Sequence, residues 1–169
     1  MKGTVIDMET VREQLVKRPA KQSDIFVKYG AWAVAAIIIT AAIFTLVPLG
    51  EIFIVAAALL TMLVLWGAYY VSGLANVEYE YCIAGAEFSV DKIVNQSKRK
   101  TLCSFNLKSA AGFYKTKKEL SDATVISAES YGEVYTIEYS DPKYGRTLVY
   151  FSPDERTLEM ITPYLPRLS

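Results

Sequence analysis

The chain has 169 residues, 18 Lys+Arg, 18 Asp+Glu, two Cys and no His, and 52% of it is apolar with a mean hydropathy of +0.22. So apolar a chain buries enough surface to offset the entropy of ordering, which excludes disorder. The missing imidazole excludes Ser-His-Asp and Cys-His catalysis and His-ligated metal sites, two Cys cannot build a four-thiolate site, and zero net charge argues against a nucleic-acid partner held by bulk charge.

Residues 1–22 form an amphipathic amino-terminal segment. Met8, Val11, Leu15 and Val16 fall at spacings near 3–4, with Arg12, Lys17 and Arg18 flanking them, which predicts a helix over Asp7–Arg18. Such a helix either lies on an anionic inner leaflet or is a solvated, partner-docked tail. Pro19 stops it, and Ser23 is placed as the N-cap of the next helix with Asp24 in its first turn.

Residues 23–76 read as a transmembrane helical hairpin. Between Lys28 and Glu51 lie 22 uncharged residues, and between Glu51 and Glu78 another 26. As helices at 1.5 Å per residue, each run reaches the roughly 30 Å of a hydrocarbon core, with spans near 30–47 and 52–74. The first run is too long for a signal-peptide core and lacks an A-x-A exit, so it is read as retained. Lys2, Arg12, Lys17, Arg18, Lys21 and Lys28 precede the first span, Pro48-Leu49-Gly50-Glu51 carries no base, and Lys92, Lys98, Arg99 and Lys100 follow the second. The positive-inside rule then places both termini in the cytoplasm of a multi-pass cell-membrane protein. Tyr29 and Trp32 open the first span while Trp66, Tyr69 and Tyr70 close the second, so all five are expected to anchor at the inner interface. Neither span holds an ionisable residue of the kind a proton or ion carrier needs. Small residues recur in both (Ala33, Ala35, Ala41; Ala56, Gly67, Gly73) and permit close helix packing.

Residues 77–169 switch to a period of two. Val77, Tyr79, Tyr81 and Ile83 alternate with Glu78, Glu80 and Cys82, and Gly85 turns the chain into Phe88 and Val90. Further strands are expected at 100–107, with Cys103, Phe105 and Leu107 on one face, and at 110–114, 124–129, 133–140 and 146–151. Ser152-Pro153-Asp154-Glu155 is a capping box for a carboxy-terminal helix whose stripe is Leu158, Ile161 and Leu165. The fold class is therefore α+β: the hairpin, then about seven antiparallel strands in a small cytoplasmic domain with a carboxy-terminal helix. That count fits a pleckstrin-homology-like (PH-like) partly open barrel, with a small β-sandwich as the rival.

Val77-Glu78-Tyr79-Glu80-Tyr81, then Gly85, Glu87, Val90-Asp91-Lys92-Ile93 and Ser97-Lys98-Arg99-Lys100, resembles the signature of a family of small two-span membrane proteins of low-GC Gram-positive bacteria, a domain of unknown function. The resemblance implies a similar build and no activity. In architecture the chain is also similar to bacterial membrane proteins in which a helical hairpin precedes a PH-like domain, a likeness that carries fold alone.

The neutral total conceals a segregated charge. Residues 92–118 hold eight Lys/Arg and no acid, whereas 119–169 hold four basic and nine acidic residues. Lys92, Lys98, Arg99 and Lys100 are expected either to face anionic lipid headgroups, or to be neutralised across strands by acids such as Glu78, Glu80, Glu87 and Glu138. Walker loops, G-x-G-x-x-G, nucleophile elbows and C-x-x-C are absent, and Cys82 and Cys103 are expected as structural thiols. The sequence thus suggests a non-enzymatic integral membrane protein without cofactor or metal, presenting its domain at the inner leaflet to a protein or to anionic lipid. The alternative is an accessory subunit of a transporter or envelope-assembly complex that works through its helices.

Overall fold

A computed structural model describes residues 11–168, so the first four residues of the expected amino-terminal helix, Met8 among them, lie outside the described residues. The chain divides into two compact units. One is Ala20–Val77, and the other joins the amino-terminal segment to everything from Glu78 onward.

The helical unit is a pair of antiparallel helices, α1 (Gln22–Leu46) and α2 (Glu51–Gly73), packed on each other. α1 begins earlier than Ser23 would have it. Lys21 is the N-cap, and the Asp24 carboxylate, three residues in, accepts the Lys21 N–H at 2.8 Å. Between the helices, Gly50 turns the chain at φ +120°, a conformation that a Cβ disfavours. At 1.5 Å per residue the helices are about 37 and 34 Å long, enough to cross a membrane. Only 11% of each apolar window is buried inside the molecule, which sets the pair apart from the core helices of a soluble protein.

The other unit is built of two four-stranded sheets and a helix. The first sheet has β1 (Val11–Lys17), β2 (Val77–Ala84), β3 (Glu87–Val94) and β4 (Lys98–Asn106) in that order. The expected amino-terminal helix is therefore a strand over 11–17. Val11 and Leu15 are four apart as on a helix face, but pairing with β2 decides the conformation: Arg12 faces Ile83, Gln14 faces Tyr81 and Lys17 faces Glu78. Tertiary hydrogen bonding overrides local spacing here. The β domain is consequently discontinuous, with its first strand ahead of the hairpin.

The second sheet orders β5 (Gly112–Tyr114), β7 (Tyr135–Asp141), β8 (Gly145–Phe151) and β6 (Thr124–Ala128) as β5-β7-β8-β6. The strands expected from Val77 onward are all found. One pair departs from the antiparallel expectation, because β6 runs parallel to β8. The connection between β5 and β6 must cross the sheet from one edge to the other, so both strands run against β7. That crossing is pinned by side chains of the strands beneath it: Thr136 Oγ1 donates to Thr116 O at 2.6 Å, and Tyr150 OH donates to Lys118 O at 2.6 Å.

The core lies between the sheets and is largely aromatic. Phe105 stacks on Tyr139 with centroids 4.0 Å apart, while Phe88 meets Phe105 and Phe151 edge-on at 5.6 and 5.4 Å. The fully buried Tyr81 hydroxyl donates to Ala128 O at 2.5 Å and accepts from Ser152 N at 3.0 Å. Helix α3 (Glu155–Ile161) closes the unit through the buried Ile161. Its N-cap is Asp154, not Ser152, and Pro153 precedes the helix instead of opening it. Asp154 accepts from Thr157 N at 2.7 Å, whereas Ser152 is engaged by Tyr81 and by Ser130 N at 3.1 Å.

Candidate anion-binding site

β3 and β4 position the four basic residues singled out above, and they do not keep them together. Their register is Val90 with Cys103 and then Asp91 with Thr101, which leaves Leu102 as the extra residue of a bulge. Cys103, Phe105 and Leu107 point into the core, as their spacing predicts. Unbroken alternation would carry Thr101 and Arg99 to the same side. The extra residue reverses the parity, so Arg99 emerges on the outer face, where its guanidinium lies 2.5 Å from Glu80 and 3.7 Å from Asp91. Arg99 is thus neutralised by acids of the same sheet.

Lys98 and Lys100 alternate onto the other face. Lys100 stands directly opposite Lys92 across the ladder, and Lys98 opposite Val94. Opposed residues of an antiparallel pair have Cα atoms roughly 4.5–5.5 Å apart, and like charges there repel. Neither Lys92 nor Lys100 has an ion-pair partner among the described residues. Two lysines opposed across the ladder without an ion-pair partner among the described residues form a ready receiver for an anion.

Lys115, Lys117 and Lys118 behave as the competing expectation has it, while Lys108 Nζ lies over the Tyr164 ring, 5.8 Å from its centroid. Lys115 pairs with Glu133 at 3.1 Å and Lys117 with Glu129 at 2.5 Å. The buried Glu138 carboxylate accepts from Arg146 Nε at 2.6 Å and from Tyr114 OH at 3.2 Å, with Lys118 Nζ at 3.5 Å. Cys103 is buried, and burial pushes its thiol up to about 12, while Cys82 faces outward on β2. The two thiols are therefore on opposite faces of the sheet.

The location of the lysines follows from strand direction. β3 returns antiparallel to β2, so the turn at 95–97 lies at the end of the sheet where β2 begins. At that same end Lys17 faces Glu78, and there the chain leaves for the hairpin and comes back. The sequence named these lysines but could not sort them, since the bulge that separates Arg99 from them has no signature of its own.

The model of the family described as a bacterial PH-like domain (DUF6106) matches residues 8–168. The chain belongs to this family. The match begins ahead of β1 and runs through both helices, so the interrupted domain falls within the family's extent. PH-like is accordingly the fold of the β unit, over the sandwich with a packed helix. No curated protein and no solved structure matches the chain.

In the helical unit, Tyr29, Trp32, Trp66, Tyr69 and Tyr70 all present exposed rings. Trp66 stacks on Tyr70 at 6.0 Å. Because the helices are antiparallel, these rings share the end of the pair opposite Gly50. Near that end an apolar groove of about 500 Å³ is lined by Phe26, Gly30, Ala35, Gly67 and Ala68 among others. A Cβ added at Gly30 or Gly67 would meet nothing within 4 Å, so packing of α1 on α2 does not require either glycine.

Proposed function

We propose that this is a non-enzymatic integral membrane protein that holds its PH-like domain against the inner leaflet, where Lys92, Lys98 and Lys100 engage anionic lipid headgroups. The observation that carries this reading is the unneutralised Lys92–Lys100 pair at the sheet end from which the hairpin departs. Each basic residue near an anionic surface contributes about 1 kcal/mol. In a domain tethered by the three residues 74–76, that attraction sets orientation instead of recruiting the domain. The pairing of Lys17 with Glu78 supports the topology independently of charge counting. Adjacent strands on either side of the inserted segment require an even number of crossings, so both termini belong on one side, and the lysine distribution makes that side cytoplasmic.

The test uses the full chain in nanodiscs, with Cys82→Ser and an environment-sensitive dye on Ser97→Cys in the lysine turn. The dye is expected to report headgroup contact in discs rich in anionic lipid and not in neutral ones, and Lys92→Glu with Lys100→Glu is expected to abolish the difference. Identical spectra in both lipids overturn the reading.

The groove at Gly30 and Gly67 favours the second reading, an accessory subunit whose helices admit a partner helix. Membrane partners that co-purify in gentle detergent and survive removal of everything from Glu78 onward would support it, and partners lost on that removal would count against it.

A further inference from the structure

The outer face of the first sheet carries a pattern unrelated to the lysine pair. Register places Leu15 opposite Glu80 and Glu13 opposite Cys82, and Asp91 joins the same face through the shared Arg99 guanidinium. A sheet face turned to water normally exposes its polar side chains and few apolar ones. Here the order is inverted: Glu80 and Asp91 are 7% and 9% exposed, while Val11 and Leu15 of β1 are 60% and 57% exposed.

The carboxylates are also short of donors. Among the described residues Asp91 Oδ1 has no hydrogen-bond partner, and Glu80 Oε2 has the Arg99 guanidinium alone, 2.5 Å away in an ion pair. Two buried negative charges thus share one cation, which is itself more than half exposed. Burial, and after it Glu80, Glu13 and Asp91, push the Cys82 thiol up, a local sign of the negative field over this face. A buried carboxylate oxygen without a donor is costly, and positive charge brought over the face offsets part of that cost.

We propose that this face docks a cationic amphipathic segment of a partner protein, its basic groups meeting the exposed Glu13 and the negative field of Glu80 and Asp91 beneath, and its apolar side chains covering Val11 and Leu15. Charge complementarity selects the occupant. Lys17 and Arg99 offset part of the charge, but Glu13, Glu78, Glu80 and Asp91 outnumber them, so the face repels an anionic bilayer and a second copy would bring the same negative face. Lys92 and Lys100, on β3 and β4, project from the opposite side of the sheet, so the two surfaces act separately.

The experiment takes the full chain in neutral-lipid nanodiscs and a fluorescent amphipathic helix of Lys and Leu, with a Glu and Leu helix and empty discs as references. The basic peptide is expected to bind about tenfold tighter than the acidic one, and Leu15→Ser and Asp91→Asn are each expected to weaken it about fivefold or more. Lys100→Gln should leave it unchanged. Equal affinity for the two peptides, binding no greater than to empty discs, or indifference to both substitutions overturns the proposal. Self-association abolished by Leu15→Ser would assign the face to a second copy and overturn it as well. Should Asp91→Asn fail to fold, Leu15→Ser and Glu13→Gln, both at exposed positions, carry the test alone.

Discussion

Arg12 on β1 donates to the carboxylate of Asp154 and, at 3.0 Å, to the hydroxyl of Thr157, tying the first strand of the β domain to the first turn of its last helix. The Asp154 carboxylate has two tasks at once: Oδ1 caps α3 through Thr157 N, and Oδ2 takes the guanidinium. Burial alone would raise its pKa, but the hydrogen bonds from Thr157 and the Arg12 charge prevail and hold it below the usual carboxylate range. A carboxyl depressed in the folded state stabilises fully above its unfolded value of about 4, and the contribution disappears as pH falls through the folded value. Asp154→Asn, which keeps the cap, is expected to flatten this part of the acid-stability curve, read by thermal melts between pH 2 and 7. Asp154→Ala should lose about 1 kcal/mol more at neutral pH.

Tyr81 provides a second test. Its hydroxyl bridges Ala128 O at the end of β6 and Ser152 N just after β8. Tyr81→Phe keeps the ring against Phe88 and Phe151 yet leaves a buried carbonyl and a buried N–H without partners. The expected cost is about 1–3 kcal/mol in denaturant midpoints, with an unchanged slope.

The interrupted domain predicts how the chain can be cut. Since Lys17 and Glu78 are directly opposed, replacing residues 20–76 by a turn of a few residues should yield a water-soluble domain with a cooperative melt and dispersed amide resonances. A fragment beginning at 77 lacks β1, and with it the contacts of Arg12 and of Gln14, which reaches Ser152 O at 3.3 Å and takes Asp154 N at 3.1 Å. That fragment should melt lower or without cooperativity.

Topology is open to a direct check. Protease added outside intact cells should spare tags at both termini, and a tag inserted in the Pro48–Glu51 turn should be cleaved. Cleavage of either terminal tag would reverse the proposed orientation.

Much of this molecule is visible in its sequence because apolar residues follow the geometry of the element they occupy. Val77, Tyr79, Tyr81 and Ile83 all proved to be core residues, and the long uncharged runs became α1 and α2. What escaped depends on partners distant along the chain. β1 has no period-two apolar pattern, and its conformation is set by strand β2, which follows some 60 residues later. The caps of α1 and α3 each moved by two residues because the Ser152 hydroxyl is taken by the Ser130 backbone and Asp24 serves better from inside the helix. In the candidate site, one extra residue at Leu102 reversed the face of Arg99, and no composition rule anticipates a bulge.

Synthesis meets these parts in an awkward order. β1 is made first, yet its neighbour β2 follows only after the whole hairpin, and its anchor Asp154 comes 142 residues after Arg12. At about 5–20 residues per second, the strand waits roughly 7–28 s for that contact, with two exposed aliphatic side chains and unpaired backbone groups. A hairpin that failed to bring its two ends to one side of a membrane would leave β1 waiting indefinitely. On the proposed topology, completion of the β domain would therefore report that both ends of the hairpin had reached one side, and a nascent chain released early would carry an unfinished sheet edge.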